Sequence, residues 1–215
     1  MNGHTRTPEA AWIEFPTDWA RRSLLIAAIA VLAMGAGTGC AAMQEIVALR
    51  QVKFAFDRIS DVRLAGVSAD GRRSYSDLRA DEIARVAAAV ATRQVPVELI
   101  VHLSAENPTS NGTTARLQRL DWKMFLDDRA LVDGQLAEAY AFEPGVPVDL
   151  PLRVRFDAIE FVNGSARDLF ELALALAGAP NYRKEVRLDL VPTIDTSIGP
   201  IRYPTPITVR RTTGS

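Results

Sequence analysis

Metal-ligating and nucleophilic side chains are scarce in this chain of 215 residues, which has one cysteine, Cys40, and two histidines, His4 and His102. A zinc or iron centre built on thiolates and imidazoles needs several of these converging, so the count excludes it, along with any internal disulfide and any cysteine–histidine nucleophile. No G-x-S-x-G turn is present to expose a serine, and Gly66, Gly71 and Gly112 are isolated turn residues rather than a phosphate-cradling loop. Charge of either sign is not in excess: 25 basic residues face 26 acidic ones, and no basic run would hold nucleic acid. Aromatics make up only 7% of the chain, and the densest apolar run, residues 24–34, is shorter than the roughly 20 residues that a membrane-spanning helix needs. Cofactors and metals are therefore not expected. Asp127, Asp128 and Asp133 lack the spacing of a calcium loop and are expected to form turns.

What is present begins with an address. Residues 1–22 end in Arg21-Arg22, and residues 23–44 contain no charged side chain, with the densest apolar part at 24–34, LLIAAIAVLAM. Eleven such residues match the core of a secretory signal. Small residues follow, and Gly37-Thr38-Gly39-Cys40 resembles the lipobox of bacterial lipoproteins, with Gly37 standing where that family usually has leucine. The resemblance implies cleavage after Gly39, lipidation of Cys40 and a protein at the cell envelope, on the outer membrane facing the periplasm. An uncleaved anchor over residues 24–43 is the competing reading. Removing residues 1–39 takes away Arg6, Arg21 and Arg22 with Glu9, Glu14 and Asp18, which leaves the net charge at −1 and no polybasic patch for anionic lipid. Residues 1–39 are thus read as signal peptide, 40–50 as tether and 51–211 as the folded domain.

Beyond residue 50 the hydrophobic period is two. Val95, Val97, Leu99, Val101, Leu103 and Ala105 share one face of an extended segment, with Glu98, His102, Ser104 and Glu106 on the other. Val148, Leu150, Leu152, Val154 and Phe156 alternate with Asp149, Arg153, Arg155 and Asp157, and Trp122, Met124 and Leu126 lead into a hairpin at Asp127-Asp128. Seven or eight strands at this spacing predict a mostly β fold, an antiparallel sandwich. Two helices interrupt it. Residues 81–92 place Ile83, Val86 and Val90 at helical spacing, and residues 165–177 open on Ser165 with Asp168 three residues on and stop at Gly178 and Pro180. Both are expected to cover edges or ends of the sandwich. His102 is expected to face solvent.

The order of short motifs resembles the group 2 late-embryogenesis-abundant (LEA type 2) or WHy domain. Its marks here are Phe56, Leu64, Gly66 and Val67, then Asn107-Pro108 closing an apolar strand, Trp122, the tip Leu126-Asp127-Asp128, and Val132 with Gly134. Threonine at 109 replaces the family's usual second asparagine. The resemblance implies an immunoglobulin- or fibronectin-III-like sandwich, no catalytic residues, and a role in water stress, desiccation or envelope interaction. The expected partners are the membrane, through Cys40, and either an envelope protein or an apolar ligand, with no nucleic acid and the chain a monomer. A ligand cavity would be lined by Trp122, Met124, Leu152, Val154 and Phe156. A structural subunit of an envelope complex is the remaining alternative.

Overall fold

The computed structural model describes residues 51–160, 164–196 and 199–214. Cys40, the lipobox residues Gly37, Thr38 and Gly39, and the rest of the expected signal and tether lie outside the described residues.

Alternation sets the architecture. Apolar side chains on every second residue require each strand to bury one face, and two sheets stacked face to face satisfy all of them at once. Strands β1 (Lys53–Leu64), β2 (Val67–Ser68), β3 (Pro96–Glu106), β4 (Ala115–Leu126), β5 (Arg129–Leu136), β6 (Tyr140–Phe142), β7 (Pro147–Asp157), β8 (Glu185–Ile194), β9 (Ile201–Arg202) and β10 (Ile207–Thr212) form two sheets. The first runs β2-β1-β3-β7, the second β10-β8-β4-β5, with β6 paired to β4 and β9 to β8, and every pairing is antiparallel. Taking β1, β3, β4, β5, β7, β8 and β10 as A, B, C, C′, E, F and G reproduces the A-B-E and G-F-C-C′ sheets of immunoglobulin-like sandwiches. The expected fold class is observed.

The core lies between the sheets. Val97, Leu99, Val101 and Leu103 of β3, Leu150, Leu152 and Val154 of β7, Leu117, Leu120 and Met124 of β4, and Val186, Leu188 and Leu190 of β8 are all buried in one cluster. Each such side chain contributes about 1.5–3 kcal/mol when fully removed from water. In β4 the phase slips: Leu117 pairs with Ile194 but Arg119 with Thr193, so Gln118 is an extra residue and both Leu117 and Leu120 point inward. The opening strand is continuous from Lys53 to Leu64, whereas the period-two pattern of the sequence reads as two strands, Val52 to Ile59 and Val62 to Val67. A bulge between Ser60 and Arg63, with Asp61 at φ 53°, absorbs the break instead.

Helix α1 (Ala80–Ala91) sits between β2 and β3, and α2 (Ala166–Leu176) between β7 and β8. The Glu82 carboxylate accepts the Arg79 amide at 2.8 Å and the Arg72 guanidinium at 2.6 Å, and these two hydrogen bonds hold it below the usual carboxylate range. On α2, Asp168 accepts the Ser165 amide at 2.7 Å while the Ser165 hydroxyl accepts the Asp168 amide at 3.4 Å. The Ser165 amide and the Ser165 hydroxyl both donate to that carboxylate and lower the Asp168 carboxyl in turn. Its other end is a Schellman turn: Gly178 at φ 79° donates to Ala175, Ala179 donates to Leu174, and Pro180 follows.

Helix α2 goes deeper than expected. Leu169, Phe170 and the run Leu172, Ala173, Leu174, Ala175 and Leu176 are all buried, because a helix apolar on most of its circumference has no face to give to solvent. It packs against β1 and α1, and Phe170 meets Tyr75 edge-on at 6.1 Å. It is therefore part of the core rather than a cover over an edge.

Candidate functional site

Asn107 is fully buried where β3 ends. Its amide donates to the carbonyls of Thr113 at 2.9 Å and Phe142 at 2.7 Å, its side-chain oxygen accepts Asn111 at 2.6 Å, and its backbone carbonyl accepts Gly145 at 2.7 Å. One side chain thus ties the loop after β3 to the end of β6. Pro108 removes a donor and stops the strand, and a short 3-10 turn, Thr109–Asn111, follows. Asparagine is required because only an amide donates twice and accepts on one planar group.

Asp127 and Asp128, at φ 47° and 61°, form the two-residue tip between β4 and β5, the left-handed pair that a type I′ turn demands. The Asp127 carboxylate accepts Lys184 Nζ at 2.6 Å and the Glu185 amide at 3.1 Å, which latches the tip to the start of β8. Burial works to raise this carboxyl, but the Lys184 and Glu185 hydrogen bonds outweigh it and the net direction is downward. Trp122 faces Gly134 directly across the β4–β5 ladder. A Cβ on Gly134 would stand 2.3 Å from Trp122 Cζ2, so the indole lies over the glycine and closes the core there. Asn107, Pro108, Trp122, Asp127 and Gly134 are brought to different ends and layers of the sandwich, each with a structural role.

The five residues expected to line a ligand cavity are in the core. Trp122, Met124, Leu152, Val154 and Phe156 are buried, Met124 completely. None of the four grooves described gathers more than one of them. The largest of these, about 780 Å³, lies on the surface instead, between α1 and the ends of β3 and β7, lined by Ala88, Ala89, Pro96 and Phe156 with Arg85 and Arg155 among its charges.

A polar constellation that sequence reasoning missed occupies the outer face of the first sheet. His102 does not face solvent freely: its side chain is 11% exposed. Nδ1 stands 2.8 Å from Asp149 Oδ2 and 3.1 Å from an Arg58 guanidinium nitrogen, and Nε2 stands 2.9 Å from the Ser60 hydroxyl. Arg58 also pairs with Asp57 and stands 3.7 Å from Asp149. Strand register makes the cluster, since Arg58 lies opposite His102 on β1, and Asp149 on β7 is two residues along from Pro151, which pairs with His102. The signal lay in the sequence only as four outward residues, Arg58, Ser60, His102 and Asp149, on three strands far apart in the chain.

A serine, a histidine and a carboxylate in series can move a proton along one line. Acyl transfer would further need oxyanion donors about 3 Å from the reacting atom and a cleft over the serine. Ser60 lies on an open sheet face, and none of the four grooves described is lined by Ser60, His102 or Asp149. Nearby Tyr140 is held neutral: burial, the Glu138 hydrogen bond and the charge of Asp149 push its phenol up to about 12. The cluster works as a clamp across three strands. The shorter contact, to a carboxylate, sets Nδ1–H toward Asp149 and leaves Nε2 to accept the Ser60 hydroxyl. In the neutral ring, imidazole 15N shifts should show Nδ1 protonated and Nε2 bare. The reverse pattern would hand Nδ1 to Arg58 instead.

Among the described residues, no group of three histidine, cysteine or acidic side chains is placed to hold a metal ion, and no helix is long and apolar enough to cross a membrane.

No family model matches the sequence, and no curated protein matches it. Solved structures do resemble the fold. One is a protein from Archaeoglobus fulgidus, 10% identical, covering 75% of this chain and 94% of its own, with a TM-score of 0.32. Another is AT1g01470 from Arabidopsis thaliana, 18% identical, covering 56% of this chain and 70% of its own, with a TM-score of 0.39. A third is a solution structure assigned to a late embryogenesis abundant (LEA) protein, At2g46140.1, 13% identical, covering 89% of this chain and 84% of its own, with a TM-score of 0.33.

Proposed function

We propose that the chain is exported, anchored at the cell envelope through a lipid on Cys40, and acts there without catalysis, as a stress or desiccation protectant or an interaction module of LEA type 2 kind. The observation that carries this reading is where the polar and motif residues are spent. Asn107, Asp127 and Gly134 hold turns and strands in place, while His102 clamps three strands, so these side chains are committed to the fold itself. A sandwich built in this way offers other molecules its surface. The apolar run at residues 24–34 and the small residues before Cys40 supply the address.

Intact-mass spectrometry of the chain extracted from the membranes of cells that make it tests the anchor. The expected mass begins at Cys40 and carries acyl groups; a chain still bearing residues 1–39 overturns it. A deletion strain should then survive drying less well than its parent, and equal survival would remove the protectant role.

A second reading, apolar-ligand binding, is favoured by the groove of about 780 Å³ over Ala88, Ala89, Pro96 and Phe156. An acyl compound released in the same mass spectrum, bound without a covalent bond, would support it.

A further inference from the structure

On the outer face of the first sheet, alternation should put polar side chains toward water. Ile100 breaks the rule. It is a half-buried aliphatic residue on the solvent side of β3, opposite Arg153 on β7 and Ser60 on β1. Beside it a groove of about 430 Å³ is lined by Asp61, Arg63, Glu98, Ile100, Arg153 and Arg155, a size that suits a small molecule.

The bulge in β1 builds the near wall. One extra residue between Ser60 and Arg63 throws Asp61 into the left-handed region, at φ 53°, and returns Arg63 to the solvent face opposite Glu98. Bulges re-aim side chains in this way beside binding sites. Glu98 is engaged by Arg155 at 3.3 Å. Arg63 and Arg153 make no ion pair among the described residues, so two guanidinium groups stand across an aliphatic floor without counter-ions, against the single free acid Asp61.

We propose that this groove binds a small oxyanion with an apolar body, a phosphate monoester or carboxylate whose charge lies between Arg63 and Arg153 and whose apolar part covers Ile100. Guanidinium forks match both oxyanions in geometry, and the aliphatic floor selects against the bare anion. The end of the groove at Ile100 adjoins Ser60 and His102 through the register, so a polar group beyond the apolar body would meet that hydroxyl. The site needs neither the anchor nor the protective role.

The test is calorimetric titration of the full chain in neutral detergent micelles with phenyl phosphate and with inorganic phosphate. Phenyl phosphate should bind saturably, and inorganic phosphate about tenfold more weakly or less well still. Arg63→Gln and Arg153→Gln should each weaken phenyl phosphate about tenfold, the loss of one charge-assisted contact. Arg93→Gln, beyond α1, should leave it unchanged. In the unsubstituted protein the Ile100 methyl resonances should move during the titration. Phosphatidic acid doped into the micelles separates the sources: competition identifies a lipid headgroup, and its failure a free small molecule. Absence of saturable binding, equal affinity for the two phosphates, or indifference to both arginine substitutions overturns the proposal.

Discussion

Asn107→Leu costs the domain about 2–4 kcal/mol of stability, a large share of the 5–15 kcal/mol that a folded domain has. The side chain is buried and donates to Phe142 and Thr113 while accepting from Asn111. Leucine is close in volume, so packing changes little and the loss is that of hydrogen bonds. The Phe142 carbonyl stays buried with no donor, and an unpaired buried acceptor costs its full desolvation. Urea unfolding followed by circular dichroism reads the effect as a lower midpoint at unchanged slope. Asn107→Asp separates hydrogen bonding from shape. Near neutral pH its carboxylate would face two carbonyls and repel both, so this variant should be no more stable than Asn107→Leu. Burial raises the folded-state pKa of such an acid above its unfolded value, so the penalty fades as pH falls and the proton returns a donor. A change below about 1 kcal/mol for leucine would mean that the loop after β3 is held by something other than this residue.

The strand pattern was legible because core-facing and solvent-facing positions alternate on β3 and β7, where Val97, Leu99, Val101, Leu103 and Ala105, and Leu150, Leu152, Val154 and Phe156, go inward. It was less legible where the backbone changes phase. The bulges at Gln118 and between Ser60 and Arg63 leave no mark in a period-two reading except a misplaced residue. The ends of α2 could be read from Ser165, Asp168, Gly178 and Pro180, since caps are local chemistry. Its depth could not, because burial on all sides depends on what β1 and α1 bring to it. His102 shows the same limit. On one strand it is an outward polar residue, and only the register with β1 and β7 surrounds it with Arg58, Ser60 and Asp149. The groove at Ile100 likewise exists only between strands. The order of motifs was visible without any structure, yet what each motif does became clear only from its cross-strand partner.

Gly134 gives the sharpest case. Its replacement by valine should cost about 3–5 kcal/mol, the range for losing a large aromatic from a core, because the new side chain has to occupy the space that the Trp122 ring fills. The first added atom would already lie 2.3 Å from Cζ2 and 2.8 Å from Cη2, so the ring must move and not merely tighten. Gly134 has no positive φ to explain its presence, which leaves the indole as the reason for glycine here. In a background with Trp12→Phe and Trp19→Phe, the emission of Trp122 should shift to the red as the ring leaves the buried position it holds between the sheets. A double-mutant cycle then separates collision from loss of strand propensity. Gly134→Ala alone should destabilise, while Gly134→Ala combined with Trp122→Phe should be better than the sum of the two changes by about 1 kcal/mol or more, since the smaller ring makes room for the methyl. Strict additivity would show that the two side chains do not compete for space. Non-additivity would explain the spacing of tryptophan, the two-aspartate tip and glycine in one physical statement: a two-residue turn at Asp127-Asp128 sets Trp122 opposite residue 134, and only a residue without a Cβ can lie beneath that ring.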